Sequence, residues 1–346
     1  MRIIGKVLAV ASLLTLCVAA SVQNAIAAPP PITIGYSDWP GWTSWDIVQK
    51  EGFFAKHHCN VKLVWFAQYT DSLNAFTAKQ VDSNCQTWSD SMGPIAAGQA
   101  CKAVLINDNS AGNDAIIAPA GITSVAQLRG KKVATELGTC DQFLLDEALA
   151  KYHMTEKDIT YVPIAVQDCP VAMLSHKVDA IVVWEPNKSQ ALTSIKGSHV
   201  IFDSRNVPGL IPDLLVFQKS VVDSRPQDVQ NIVDAWYDML GWWRTHPQEA
   251  CTIMAARTDS PVDFYTKFIT GTRIFSGPEA VSAFTKSPKI TSLYTSGAQI
   301  SSFLLATKQV AKAPAYVPVV DGVFVKAAVA KGLGKLPPYP YKQKVN

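Results

Sequence analysis

Short apolar runs alternating with helix-patterned segments constrain this chain more than any other feature. Ile32–Tyr36, Val61–Phe66, a segment ending near Gln86-Thr87 and Cys101–Ile106 read as strands. A helical stretch from Asp71 to Lys79, with Leu73 and Phe76 on one face, and another from about Ser91 to Gly98 separate them. The alternation continues with a short helix at Ser124–Leu128, a strand at Lys132–Thr135 and a helical stripe over Cys140–Tyr152. Ile159–Val162, Ala180–Val183, Val200–Phe202 and Asp213–Phe217 complete the expected strands. Strands that take turns with helices need crossover connections, which predicts parallel pairing and an α/β fold. Beyond Phe217 the pattern turns helical. Ile232, Val233, Trp236, Leu240 and Trp243 mark a long helix over Pro226–Arg244, and no further strand is expected.

The first 27 residues stand apart from this pattern. Arg2 and Lys6 precede an apolar run, Val7–Ala20, and Ala25-Ile-Ala27 has the form of a cleavage signal. The run is too short to span a bilayer, so 1–27 reads as a signal peptide and the mature chain as exported. Removing the leader lowers the formal charge from the +3 of the full chain. A near-neutral chain without basic runs argues against a nucleic-acid partner. The mature chain keeps six of the seven cysteines. An even number in an exported chain predicts disulfides. Cys85–Cys101 and Cys140–Cys169 are the expected pairs, with Cys59–Cys251 as the remainder. No C-x-x-C or H-E-x-x-H spacing is present, and His57-His58-Cys59 reads as a solvated loop; neither metal nor cofactor is expected.

Several segments in order resemble a periplasmic solute-binding protein of an ABC importer, in the branch serving nitrate, taurine, alkanesulfonates, urea-like compounds and thiamine precursors. They are Ile34-Gly-Tyr36 with the Trp/Pro/Gly loop and Glu51-Gly-Phe-Phe54, then Leu73–Asp82, Leu128–Val133, Lys177–Pro186 and Pro247–Ala250. The resemblance implies the two-lobed fold of type II periplasmic binding proteins, with mixed sheets flanked by helices and a ligand cleft between hinged lobes. Lobe one would be 28–115 plus 216–346, lobe two 116–215, with crossings near Asp114–Pro119 and Pro212–Phe217. The implied partners are a small-molecule solute and an inner-membrane ABC permease, with a monomeric binder and no catalysis. An enzyme of another class, a thiamine-pyrimidine synthase that consumes its own histidine and bound pyridoxal phosphate, shares the fold and is the alternative.

Open α/β sheets bind ligands beyond the carboxyl ends of their strands. The strand-to-helix loops therefore supply the candidate site: Asp38, Trp39 and Trp42; Gln68 and Tyr69; Trp88 and Asp90; Asp114; Glu136 and Thr139; Asp168; Trp184 and Glu185. Indoles and carboxylates outnumber cations in this set, a composition that favours a cationic or neutral nitrogen-containing solute. A sulfonate or nitrate site is the alternative, because loops that feed helix N-termini also favour anions. Asp90 has a helix-capping reading beside its ligand reading, and Trp88, Trp184 and Glu185 have structural ones. Trp45, one residue type shared with the loop before it, falls on a helix and is expected in the core.

Overall fold

Why a strand of this chain pairs where it does follows from its neighbours in the computed structural model, which describes residues 29–338. The leader expected at 1–27 lies outside the described residues. The first sheet holds β1 (Ile32–Tyr36), β2 (Val61–Trp65), β3 (Ser83–Thr87), β4 (Cys101–Ser110), β10 (Pro212–Gln218) and β11 (Thr272–Ile274) in the order β11-β4-β10-β3-β1-β2. The second holds β5 (Ala115–Ala118), β6 (Lys132–Thr135), β7 (Thr160–Pro163), β8 (Ala180–Val183) and β9 (His199–Asp203) in the order β7-β6-β8-β5-β9. Helical crossovers make β1 parallel to β2 and β3, with Ile34 opposite Leu63 and Ser83. In the second sheet β6 is parallel to β7 and β8. β10 runs antiparallel to both β3 and β4, and β5 antiparallel to β8 and β9. Both sheets are thus mixed and flanked by helices, as the two-sheet α/β expectation requires.

Two short strands depart from the sequence reading. β5 occupies a stretch expected as a crossing. β11 is a three-residue edge strand beyond the last one expected. The chain leaves the first sheet after Ser110, enters the second at Ala115, leaves it after Asp203 and returns at Pro212. The connecting segments, 111–114 and 204–211, therefore precede the expected ranges. They are tied together: Ser110 Oγ and Ser204 Oγ lie 2.7 Å apart, the Gly112 amide donates to Ser204 Oγ at 2.7 Å, and the Ser204 amide donates to the Asp114 carbonyl at 3.0 Å.

The core behind the first sheet explains one tryptophan at once. Trp45 opens the helix Trp45–Lys50 and is fully buried, with its ring 4.7 Å from Trp236 and stacked at 6.0 Å on Phe54. Asp46 beside it accepts from Tyr36 Oη at 3.0 Å and from Arg257 Nη2 at 2.5 Å. Burying a large aromatic side chain contributes on the order of 3 kcal/mol, so this contact fixes the first helix on the sheet.

The expected disulfides do not form. Cys59, Cys85, Cys101, Cys140 and Cys169 are thiols. For Cys85 and Cys101 the reason is topological: β10 lies between their strands, with Leu215 opposite Cys85 and Gln218 opposite Cys101. Strands two apart are separated by about 9–10 Å, beyond the reach of a disulfide. Cys140 Sγ is directed to Asp114 Oδ1 at 3.7 Å, and Cys169 Sγ to the carbonyls of Ile164 and Ala165. Cys251 accepts from Thr266 Oγ1 at 3.9 Å, inside the helix layer. His57 Nε2 pairs with Asp238 at 2.9 Å, which leaves the His57-His58-Cys59 loop a structural element.

Candidate functional site

The turn after β1 builds the first wall of a cavity. Pro40 and Gly41 fold the loop back so that the amides of Trp42 and Thr43 both donate to the Trp39 carbonyl. Thr43 Oγ1 then donates to the Pro40 carbonyl at 2.9 Å. This coil sets Trp39 and Trp42 side by side, centroids 6.4 Å apart, and places Trp42 5.0 Å from Tyr69. Trp39 Nε1 donates to Asp108 Oδ1 at 3.0 Å. Gly41 is required here: a Cβ on it would lie 1.8 Å from Asp108 Oδ2.

The opposite wall comes from the second sheet. Trp184, at the end of β8, meets Tyr69 edge-on at 5.7 Å, and its Nε1 donates to Asp38 Oδ1 at 3.3 Å. That hydrogen bond joins the β1 loop of one sheet to the β8 loop of the other. Thr87, Asp114, Cys140, Ile211 and Asp213 complete the lining. The cavity between these atoms is small, about 10 Å³. The rings are closed on one another, with room for about one water.

Carboxyl groups dominate the electrostatics. Asp114, Asp141 and Asp213 are at most 1 % exposed, and Asp108 is fully buried. Both oxygens of Asp141, and one each of Asp90, Asp114 and Glu136, have no hydrogen-bond partner, while Asp108 and Asp213 hydrogen-bond carboxyl to carboxyl. Burial pushes the Asp38 and Asp90 carboxyls up to about 6. It pushes Asp108 and Asp114 well above the ordinary range, and for Asp141 and Asp213 the repulsion of neighbouring carboxylates adds to burial. No lysine or arginine lines the cavity among the described residues; Lys188, whose charge reaches Asp114, is spent on the Gly112 carbonyl at 2.7 Å and Glu185 at 3.2 Å. Asp114, Cys140 and Asp141 each bring one potential ligand atom to within 4.8 Å of the others.

Of the thirteen residues expected to bind, Trp39, Trp42, Tyr69, Asp114 and Trp184 line the cavity and Asp38 closes it through Trp184. Asp90 and Thr139 sit beside it around a neighbouring groove. Trp88 is a correction. The helix Trp88–Ala96 begins three residues earlier than expected, which turns the indole into the core; its Nε1 donates to the Leu293 carbonyl at 3.1 Å and its ring meets Tyr316 edge-on. Glu136 and Glu185 cap backbone instead, accepting from the Val166 and Ser189 amides at 2.9 Å. Gln68 and Asp168 face solvent. Asp213 and Cys140 are cavity residues absent from the expected set as ligands, and Asp108 supports the wall from behind Trp39.

Comparison with known proteins agrees with this architecture. A candidate binding protein of Brucella abortus (strain 2308) is 24% identical over 249 residues, 67% of this chain and 72% of that one. A candidate aliphatic sulfonates-binding protein of Bacillus subtilis (strain 168) is 22% identical over 296 residues, 81% of each chain. Among solved structures, the alkanesulfonate-binding protein SsuA from Xanthomonas axonopodis pv. citri bound to MOPS superposes with a TM-score of 0.72 at 17% identity, covering 86% of this chain and all of that one. The desulfurization enzyme DSZB has the same fold at a TM-score of 0.62 and 15% identity, covering 87% and 99%. The model of the family described as NMT1/THI5 like matches residues 45–250, more than half of the sequence, and the chain belongs to that family.

Proposed function

We propose that this chain is the solute-binding component of an ABC importer, exported to the periplasm, which traps a small molecule between two lobes and presents it to a membrane permease. The observation that carries the reading is the cavity itself: aromatic walls contributed by both sheets, closed over a space of one water and latched by Trp184 and Asp38. A solute enters only if the sheets part, so capture and hinge closure are one event. In this reading the lobes follow the sheets and so depart from the expected bounds of 28–115 plus 216–346 and 116–215: lobe one holds the described chain up to 110 and from 212 onward, lobe two 115–203, with the tied segments 111–114 and 204–211 as the hinge. Binding without catalysis is favoured by the binding-protein names of the relatives; the likeness to a desulfurization enzyme is the weaker one.

The relatives favour an organic sulfonate as the solute over the cationic class expected from the sequence. In an acid-lined cavity a sulfonate requires neutral carboxyls, whose O–H groups donate to its oxygens. The raised carboxyls are compatible with that state. One specific observation supports a second reading, an organic cation: four aromatic rings beside unpartnered carboxylate oxygens form an ammonium-type box.

Titration of the mature protein with taurine, alkanesulfonates, nitrate, guanidinium and alkylamines, followed by tryptophan fluorescence, separates the two. Calorimetry in buffers of different ionisation heat gives a second sign. An anion placed beside carboxyls raises their proton affinity, so protons are taken up; a cation releases them. Saturable binding of guanidinium or amines alone, with proton release, would sink the sulfonate reading. Failure of every solute to bind would sink the importer reading.

A further inference from the structure

The carboxyl cluster has a third member that is not a carboxyl. Cys140 Sγ faces the cavity and lies 3.7 Å from Asp114 Oδ1. In a tetrahedral zinc site with bonds of about 2.3 Å to sulfur and 2.0 Å to oxygen, two such ligand atoms stand about 3.5 Å apart. Asp141 follows Cys140 on the first turn of the helix Cys140–Lys151, and all three ligand atoms fall within 4.8 Å of one another. The trio is buried, and three of its four carboxylate oxygens have no partner. A neighbouring group points the same way: Asp213, on β10 and 1 % exposed, lines the same cavity, and its side-chain hydrogen bond is to another buried carboxyl, Asp108, with no basic group in the lining among the described residues. Buried carboxylates lacking hydrogen bonds are costly unless a cation accompanies them.

We propose that Asp114, Cys140 and Asp141 form a binding site for a divalent transition-metal ion of the zinc and cobalt class, with Asp213 beside it in the same wall. A mixed oxygen and thiolate donor set selects such ions over magnesium and calcium. Binding displaces to solvent the Cys140 thiol proton and any proton held by the Asp114 and Asp141 carboxyls, so the sulfur enters as thiolate and the oxygens as carboxylate. Three protein ligands leave a tetrahedral ion one position short, and Asp114 and Cys140 hold theirs at the cavity. The ion then supplies the positive charge that the cavity wall lacks. That last role rests on the importer reading with an anionic solute; the metal site itself does not.

The test uses the mature chain, dialysed against chelator and titrated with Co²⁺ without any solute. One equivalent should bind and produce a thiolate-to-cobalt charge-transfer band, which Zn²⁺ bleaches and Mg²⁺ does not. Cys140→Ser should abolish the band, Asp141→Asn should weaken Co²⁺ affinity by at least about 10-fold, and Cys169→Ser should change neither. Circular dichroism of each variant confirms folding, and Asp213→Asn provides a second cavity variant in which the band must persist. Absence of the band in the parent protein, or its survival in folded Cys140→Ser, overturns the proposal. Because no solute is present, that failure leaves the importer reading standing, and a metal-binding protein that captures no solute leaves the site standing.

Discussion

Asp38 holds the hydrogen bond that joins the two sheets across the cavity, and its charge should work against that closure. In an unfolded chain an aspartate titrates near about 3.9; here burial pushes the carboxyl up to about 6, with the Trp184 indole opposing the shift. The fold therefore favours the neutral form. The contribution to stability is fully present below the unfolded value and is lost as pH rises through the folded one. A difference of about two pH units corresponds to about 3 kcal/mol, and the partial exposure of Asp38 lowers this to about 1–2 kcal/mol. Asp38→Asn keeps an oxygen for the Trp184 N–H and cannot ionise. Relative to the parent, the variant should gain about 1–2 kcal/mol in unfolding free energy between about pH 4 and 7.5. Urea midpoints of both proteins at about pH 4.5, 6 and 7.5 measure this directly. Comparing the two at each pH cancels every other titrating group. A stability difference that stays constant over the range, or that grows toward acid, would refute the argument that burial controls this carboxyl.

Three further outcomes follow from the packing. Gly41→Ala drives a methyl into Asp108 and should break the Trp39–Asp108 bond, costing about 1–3 kcal/mol with a changed near-ultraviolet circular dichroism spectrum. Reductant should leave the melting temperature of the mature protein unchanged; since a native disulfide contributes about 2–4 kcal/mol, a drop of several degrees would mean that the expected cysteine pairs do form. Trp88→Ala removes a fully buried indole that packs against Tyr316 and is not itself in the cavity lining, and should lower stability by about 3–5 kcal/mol while the folded fraction keeps its solute affinity, checked by urea melts and fluorescence titration.

Local chemistry was legible in the sequence, and what was missed is mostly long-range. The alternation of apolar runs with helical stripes located nine of the eleven strands found among the described residues, because period and length are local signals. Trp45 separated correctly from Trp39 and Trp42, since a helix start and a Pro-Gly turn impose different surroundings on the same side chain. For Trp88, which carried a structural reading beside its ligand one, the structural reading applies: the helix begins a few residues earlier than expected and the indole sits in the core. The cysteine pairs failed for a reason no local pattern contains: β10, more than a hundred residues later in the chain, inserts between β3 and β4. The same strand explains the missing site residue. Candidates were drawn from the carboxyl ends of strands, which is sound for parallel members. β10 runs the other way, so its amino end meets the carboxyl ends of its neighbours, with Asp213 opposite both Thr87 and Asp108. In a mixed sheet the binding edge is therefore made from both kinds of strand end. A charged residue opening an otherwise apolar strand, as Asp213 does before Leu214-Leu-Val-Phe217, is the sequence mark of an antiparallel member delivering a side chain to that edge.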